Sequence, residues 1–300
     1  MEAAAGVAVG ASVPNGDRVG IGWRPELAAG IYLHLAHIDV LEVLADDLFD
    51  APNCSIKALR RLGREVPLAL HGVGMGLAST IAVDIERVER MARLAAALEP
   101  EVWSEHLAFV RAGGTEIGHL AAPPRTASSV EGALANIERA SRVVGARPEL
   151  ENIATLVEPP WSTLNEPAWV GAIIRGTGTS LLLDLHNLYS NACNFGQSPF
   201  ALLAAMPLDH VRCVHLSGGR WVAAPSGGRR LIDDHLHSPP NDVYMLLEEL
   251  AAATTQPLTV ILERDGCYPP FNVLAAELDS ARRALARGRS RPSLLLPAAA

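Results

Sequence analysis

The chain has 300 residues, is 49% hydrophobic and 19% charged, and carries a net charge of −8. This composition excludes a disordered chain, and the acidic balance disfavours a general nucleic-acid binder. Mean hydropathy is +0.18, yet no apolar run approaches the roughly 18 residues of a membrane span.

Residues 1–17 are small and Ala/Gly-rich, with Glu2 the first charge. A secretory signal would open on basic residues, so a flexible leader is expected here. From residue 18 one pattern repeats: a short apolar run, a loop, then a helical period. The runs are Val19–Trp23, Ile38–Leu44, Val66–His71, Val102–Leu107, Pro148–Ile153, Ser180–Asn187, Val211–Leu216 and Leu258–Asp265. Between them, Ile85, Val88, Ala92, Ala95 and Leu98 form one helical stripe. Val243, Leu246, Leu247 and Leu250 form a second, and Leu274, Leu278, Ala281 and Leu285 a third. Amphipathic helices covering buried parallel strands fit this alternation. Eight such units predict a single-domain α/β fold, a (β/α)8 TIM barrel over residues 18–287. An open doubly wound sheet is the alternative, but no GxGxxG or Walker A motif is present. Residues 288–300 read as a flexible tail.

The polar residues at the run ends carry the functional signal. They are Arg24, Glu42, His71, His106, Glu151, Asp184, His215 and Glu263, joined by Asp233 and His235 in the loop after run seven. In a barrel these ends converge on one mouth. Together they would bury several carboxylates, and the chain's one lysine, Lys57, lies in an expected surface helix. Desolvating unpaired carboxylates is too costly, and divalent or trivalent metal ions remove that cost. Eight or nine ligands exceed the three or four protein ligands of one catalytic ion, so two or three ions with bridging carboxylates are expected. Mixed imidazole and carboxylate ligation suits iron, manganese or zinc. The four cysteines, Cys54, Cys193, Cys213 and Cys267, form no CxxC. Neither a structural zinc site nor a disulfide framework is expected, and a reducing cytoplasm fits.

Nine segments then match one family in order. They are GIGWRPE (20–26), LEV (41–43), LHGVGMG (70–76), SEHLAF (104–109), LENI (150–153), LLLDLHNLYSNACNFG (181–196), VHLSGG (214–219), LIDDHLH (231–237) and LERD (262–265). The chain resembles the multinuclear non-heme iron-dependent oxidative enzymes, the family that includes the methanobactin-biosynthesis oxidase. The resemblance implies a TIM barrel with two or three iron ions of mixed Fe(II)/Fe(III) valence. It also implies dioxygen as co-substrate and oxidation of a ribosomally made precursor peptide, often at cysteine. A small leader-binding partner protein is implied as well. Carried over by motif, His71, His106, Glu151, Asp184, His215, Asp233, His235 and Glu263 are the implied iron ligands, with Asn187 a ninth. Glu151, Asp184 and His215 are the residues expected to be indispensable for catalysis. The family often has two asparagines where this chain has His186-Asn187, so His186 is read either as a group supporting a ligand or as a plain variant, and a serine is common at Gly76. Asp233 is preferred to Asp234 because i, i+2 spacing puts it on the same face as His235 in an extended segment.

Other residues have plainer expected roles. Glu105 is expected to orient a ligand or pair with an arginine. Glu42 is read either as an acceptor behind a ligand or as a partner of Arg24. Asp265 fits a loop ion pair, and His34, His37, His119 and His210 fit solvated faces. Cys213 reads as a buried hydrophobe, and Cys193 and Cys267 as loop thiols near the mouth. The SGG after run seven fits close backbone approach to a substrate. Two rival functions use similar residues. A zinc- or manganese-dependent hydrolase or isomerase, such as a sugar isomerase or endonuclease-IV-like phosphodiesterase, lacks here its basic aromatic rim or a well-placed lysine. A metal-storage barrel would need no open coordination position.

Overall fold

The computed structural model describes residues 16–112, 114–224 and 227–295. The expected leader is therefore outside the described residues up to residue 15, and the end of the tail from residue 296. Strands are numbered in chain order. β1 (Arg18–Gly22), β2 (Leu41–Leu44), β3 (Leu68–Gly72), β4 (Val102–His106), β7 (Glu149–Glu151), β8 (Leu181–Asp184), β9 (Val211–Leu216) and β12 (Thr259–Leu262) close into one parallel barrel in that order. The fold is thus a TIM barrel. Two antiparallel hairpins are added, β5 (Phe109–Ala112) with β6 (Thr115–Ala121) and β10 (Gly219–Ala223) with β11 (Arg229–Asp233).

Strand alternation sorts the side chains into layers. Val40, Ala69, Leu182, Cys213 and Ile261 meet inside the barrel as a small apolar cluster. Two residues further along the same strands, in the same phase, come Glu42, His71, Asp184, His215 and Glu263. His106 and Glu151 stand two residues beyond Ser104 and Glu149 and complete this upper layer. An apolar plug thus floors a polar ring at the C-terminal ends. β1 contributes no side chain to either layer, only Gly20 and Gly22. A Cβ at Gly20 would collide with the carbonyl oxygen of Val40, so glycine there lets β1 and β2 close up.

The larger core lies between sheet and helices. Val243, Leu246, Leu247 and Leu250 are fully buried on the helix Asn241–Ala253, and Leu274, Leu278, Ala281 and Leu285 are buried on Phe271–Arg289. The stripe on Ile85–Leu98 also packs inward, except Ile85, which is 47% exposed at the first position of that helix. The chain ends are tied more closely than a leader ending at 17 and a tail starting at 288 would suggest. Asp17 accepts hydrogen bonds from the Leu258 backbone and from Arg289, and the last helix continues to Arg289. Arg291 then reaches Glu248 at 3.0 Å and Glu249 at 2.8 Å.

Candidate metal centre at the barrel mouth

Three histidines point one nitrogen each at Glu151, and a neighbouring group sets the orientation of each ring. The Ser104 hydroxyl donates to the Leu70 carbonyl at 3.3 Å, so its oxygen accepts from His71 Nδ1 at 2.8 Å. His106 Nδ1 donates to the Gly72 carbonyl at 3.2 Å. His215 Nε2 lies 2.9 Å from Glu42 Oε2. A ring whose one N–H is thus engaged keeps its other nitrogen as a lone-pair donor. Those free nitrogens face carboxylates. His71 Nε2 and His106 Nε2 are each 3.3 Å from Glu151 Oε2, and His215 Nδ1 is 3.4 Å from Glu151 Oε1. His215 Nδ1 is also 3.1 Å from Glu263 Oε2.

The ligand-type atoms fall into overlapping groups. His71, His106 and Glu151 form one, and Glu151, Asp184, His215 and Glu263 form another, each with its atoms within 4.8 Å of one another. Further out, His235 Nε2 lies 2.8 Å from Asp233 Oδ2, and His235 Nδ1 is 3.6 Å from Glu263 Oε2. Glu151 joins the first two groups and Glu263 the second and third. The chemistry of the donor set fits metal ions. Glu151 Oε2, Asp184 Oδ2, Asn187 Oδ1, His215 Nδ1 and Glu263 Oε2 are buried without any hydrogen-bond partner. Each orphan costs about 1–3 kcal/mol in a metal-free fold, and all five lie at the convergence of the two clustered groups or beside them.

Proton affinities show the same crowding. Burial pushes the Asp184 carboxyl well up, and the neighbouring Asp233, Glu151 and Glu263 add to it. Burial pulls His71 well down, with His106 and His215 reinforcing the effect. Burial also opposes charge on His106, but Glu151, Glu105 and Glu263 outweigh it and raise the ring to about 9. His215 moves the same way, lifted against burial by Glu263, Glu42 and Glu151. A cation bound here would replace these protons, as metal ions do when they invert local proton preferences.

The structure gathers all nine sequence-selected residues at one mouth, with two changes of local setting. Run six does not stay extended through Asn187. β8 ends at Asp184, whose Oδ1 accepts from the Asn187 backbone N–H at 2.6 Å and caps the helix Leu185–Phe195. Asn187 therefore sits on the first helical turn. Its Nδ2 donates to the Asn152 carbonyl at 3.0 Å, which leaves Oδ1 for the centre. The second change concerns Asp233. It faces the site and Asp234 does not, because Asp234 pairs with His237 at 2.9 Å and Arg220 at 3.2 Å. The expected extended i, i+2 segment is not the reason. β11 ends at Asp233, and His235 turns back in a left-handed conformation, φ 53°.

Glu42 is the acceptor behind His215, and Arg24 pairs instead with Asp265. Asp265 Oδ2 also lies 3.1 Å from His235 Nδ1. Glu105 accepts from the His106 backbone at 3.0 Å and the Met75 backbone at 3.3 Å. Cys213 is buried as expected, whereas Cys193 lies within the helix Leu185–Phe195 rather than in a loop. Sequence reasoning missed Ser104, Asn152 and Ser217. All three lie inside matched segments, SEHLAF, LENI and VHLSGG, but each acts only through a distant partner, His71, Asp184 and Asp233 respectively. Of the two readings of His186, a group supporting a ligand or a plain variant, the geometry favours the first, since its Nδ1 lies 2.6 Å from Asp233 Oδ1.

A cavity of about 400 Å³ opens onto His106, Asn187, Asp233 and His235. Its walls are β6, the loop 153–160 and β11, with Leu120, Ile153, Leu156, Val157 and Ile232 supplying apolar surface.

Comparison with known proteins agrees with this architecture. Among solved structures, an L-ribulose 3-epimerase superposes with TM-score 0.57 at 16% identity, covering 92% of this chain and 100% of that one. A xylose isomerase-like TIM barrel/4-hydroxyphenylpyruvate dioxygenase fusion protein reaches TM-score 0.61 at 16% identity, covering 95% of this chain and 47% of its own. Such identities establish the fold alone. A UPF0276 protein of Streptomyces avermitilis is 34% identical over 285 residues, 91% of this chain, although the chain spans only 56% of that relative. A UPF0276 protein of Caulobacter vibrioides is 32% identical over 274 residues, 91% of this chain and 96% of its own length. The profile of the RiPP precursor modification enzymes MbnB/TglH/ChrH matches residues 18–286. With its barrel, its motifs and this match in agreement, the chain belongs to the MbnB/TglH/ChrH family of RiPP precursor modification enzymes.

Proposed function

We propose that the protein is a multinuclear iron enzyme that uses dioxygen to oxidise a ribosomally made precursor peptide at cysteine. The observation that carries this reading is the sharing of Glu151 and Glu263 between neighbouring ligand groups. Shared carboxylates suit several ions at close quarters, and three or four protein ligands per ion divide this set into two or three sites. His71, His106 and Glu151 would hold one ion, and Glu151, Asp184, His215 and Glu263 a second. Glu263, Asp233, His235 and Asn187 would hold a third. When bound, iron would supply Lewis acidity toward a substrate thiol and redox chemistry toward dioxygen.

The chain's own residues do the rest. Ser104, the Gly72 carbonyl and Glu42 lock the tautomers of His71, His106 and His215. The apolar walls of the cavity admit a peptide side chain while excluding bulk water. The cavity reaches the centre on the side of His106 and His235, so substrate enters there. The peptide's leader would be held by a partner protein in the cytoplasm, and only the reacting stretch would enter the barrel. Among the described residues no helix is long and apolar enough to cross a membrane.

The test is element-resolved metal content of protein purified without oxygen. Two to three irons per chain, with oxygen-dependent modification of a cysteine-bearing precursor, is the expected result. Stoichiometric zinc or manganese persisting after iron-replete expression would overturn the iron assignment. Equal turnover of a leaderless peptide would overturn the partner.

A further inference from the structure

We propose that His186 is a positioning residue that presents Asp233 to the metal centre and so governs occupancy of the outermost ligand group. The inference rests on the metal-centre reading above. Asp233 differs from the other carboxylates in its support. It ends β11, a strand of an added hairpin, and receives no brace from the barrel ladder. Its orientation must therefore be set from outside. His186 does this from the first turn of the helix Leu185–Phe195, fully buried, with Nδ1 2.6 Å from Asp233 Oδ1. The Ser217 hydroxyl donates to the same oxygen at 3.2 Å. One oxygen of Asp233 is thus fastened from behind, and Oδ2 is turned toward His235 Nε2, 2.8 Å away.

The backbone makes room for this ring. Gly219 lies opposite Asp233 in the hairpin register. A Cβ on Gly219 would stand 2.7 Å from His186 Cε1 and would also strike the Ile232 carbonyl. The glycine of the SGG segment therefore admits the imidazole. The contact to Asp233 is the only polar contact of the His186 side chain among the described residues, and Nε2 is buried without a partner.

The geometry yields a test that separates positioning from filling. The side-chain nitrogen of asparagine hangs from Cγ, as Nδ1 of histidine does, whereas the glutamine nitrogen is one bond further out, near the Nε2 position. His186→Asn can donate to Asp233 Oδ1, while His186→Gln and His186→Ala cannot. Each variant, prepared metal-free, is titrated with Fe(II) alone under anaerobic conditions and then analysed by Mössbauer spectroscopy. Ala and Gln should weaken one class of iron site 10–100-fold, the usual cost of losing such a support, and remove one iron environment from the spectrum. Asn should restore both. Gln matching Asn would overturn the inference in favour of simple volume, and so would His186→Ala binding iron as the wild type does. If Ala fails to fold, judged by thermal melting of the metal-free protein, the Asn and Gln pair still decides. A wild-type chain that takes up no iron would instead overturn the metal-centre reading itself.

Discussion

Substituting Glu42 by glutamine should separate what holds the fold from what holds the metal. Glu42 and His215 are both buried, 173 positions apart, and meet at 2.9 Å. The carboxylate fixes the Nε2–H tautomer of His215 and makes its Nδ1 a better donor. Glutamine keeps an oxygen acceptor in the same place but removes the charge. Such supporting groups are worth 10–100-fold in metal affinity, or about 1.4–2.7 kcal/mol at 1.36 kcal/mol per decade. In the metal-free protein the effect should nearly vanish. His215 there retains Glu151 at 3.4 Å and Glu263 at 3.1 Å, so no buried cation is left unpaired. Burial also holds the Glu42 carboxyl above its ordinary value, and removing that charge relieves desolvation. Competition of Glu42→Gln against a chelator, alongside melting of the metal-free protein, gives the two readings. An unchanged iron affinity would refute the reasoning. A fall in affinity matched by an equal fall in metal-free stability would refute it too, since Glu42 would then be a folding residue.

Three other outcomes are expected. Glu151→Ala and Asp184→Ala should each abolish turnover and lower metal content while leaving the circular dichroism of the barrel intact, and full turnover with full metal content would contradict the ligand assignment. Burial, with Glu42 nearby, lifts the Glu149 carboxyl to about 7 from 4.5. The folded state therefore holds this proton more tightly than the unfolded chain, and stability falls as pH rises from about 4.5 through 7. Glu149→Gln should raise the metal-free melting temperature at pH 8 and leave it nearly unchanged at pH 4, and an equal shift at both pH values would contradict this origin. Val157 is 70% exposed on the cavity wall, so Val157→Asp should raise KM for the precursor several-fold with kcat and iron content unchanged. A loss of iron would place its effect on the centre instead.

The barrel was legible because the same strand-end chemistry recurs after each apolar run. A buried polar residue one step past an apolar run carries its own register, and His71, His106 and His215 could be placed from that alone. Local events broke the pattern where they occurred. Asp184 caps a helix with its own side chain, so the extended run ends three residues early and Asn187 arrives by a helical turn. The hairpins escaped because β6 and β10 are largely exposed, with no apolar stripe to announce them. Pairings such as Glu42 with His215, or Arg24 with Asp265, depend on closure of the barrel across 173 and 241 positions. No periodicity reports a contact of that kind. The sequence left His186 between a supporting group and a plain variant, because the partner that decides it lies in a strand 47 residues later.

The blank face of β1 has a consequence for how the centre keeps its charge. With only glycine on that side, Arg24 folds back over Gly22, its Nη1 3.2 Å from where a Cβ would stand. The guanidinium is buried there beside Asp265, with Glu263 and Glu42 close enough to favour its charge. Unlike every histidine around it, this group neither surrenders its proton nor binds a cation. The ring of ligands is therefore an arc closed by one immovable positive charge. The titratable groups of the arc can change their protons, and the arginine remains a constant positive charge against which they are balanced.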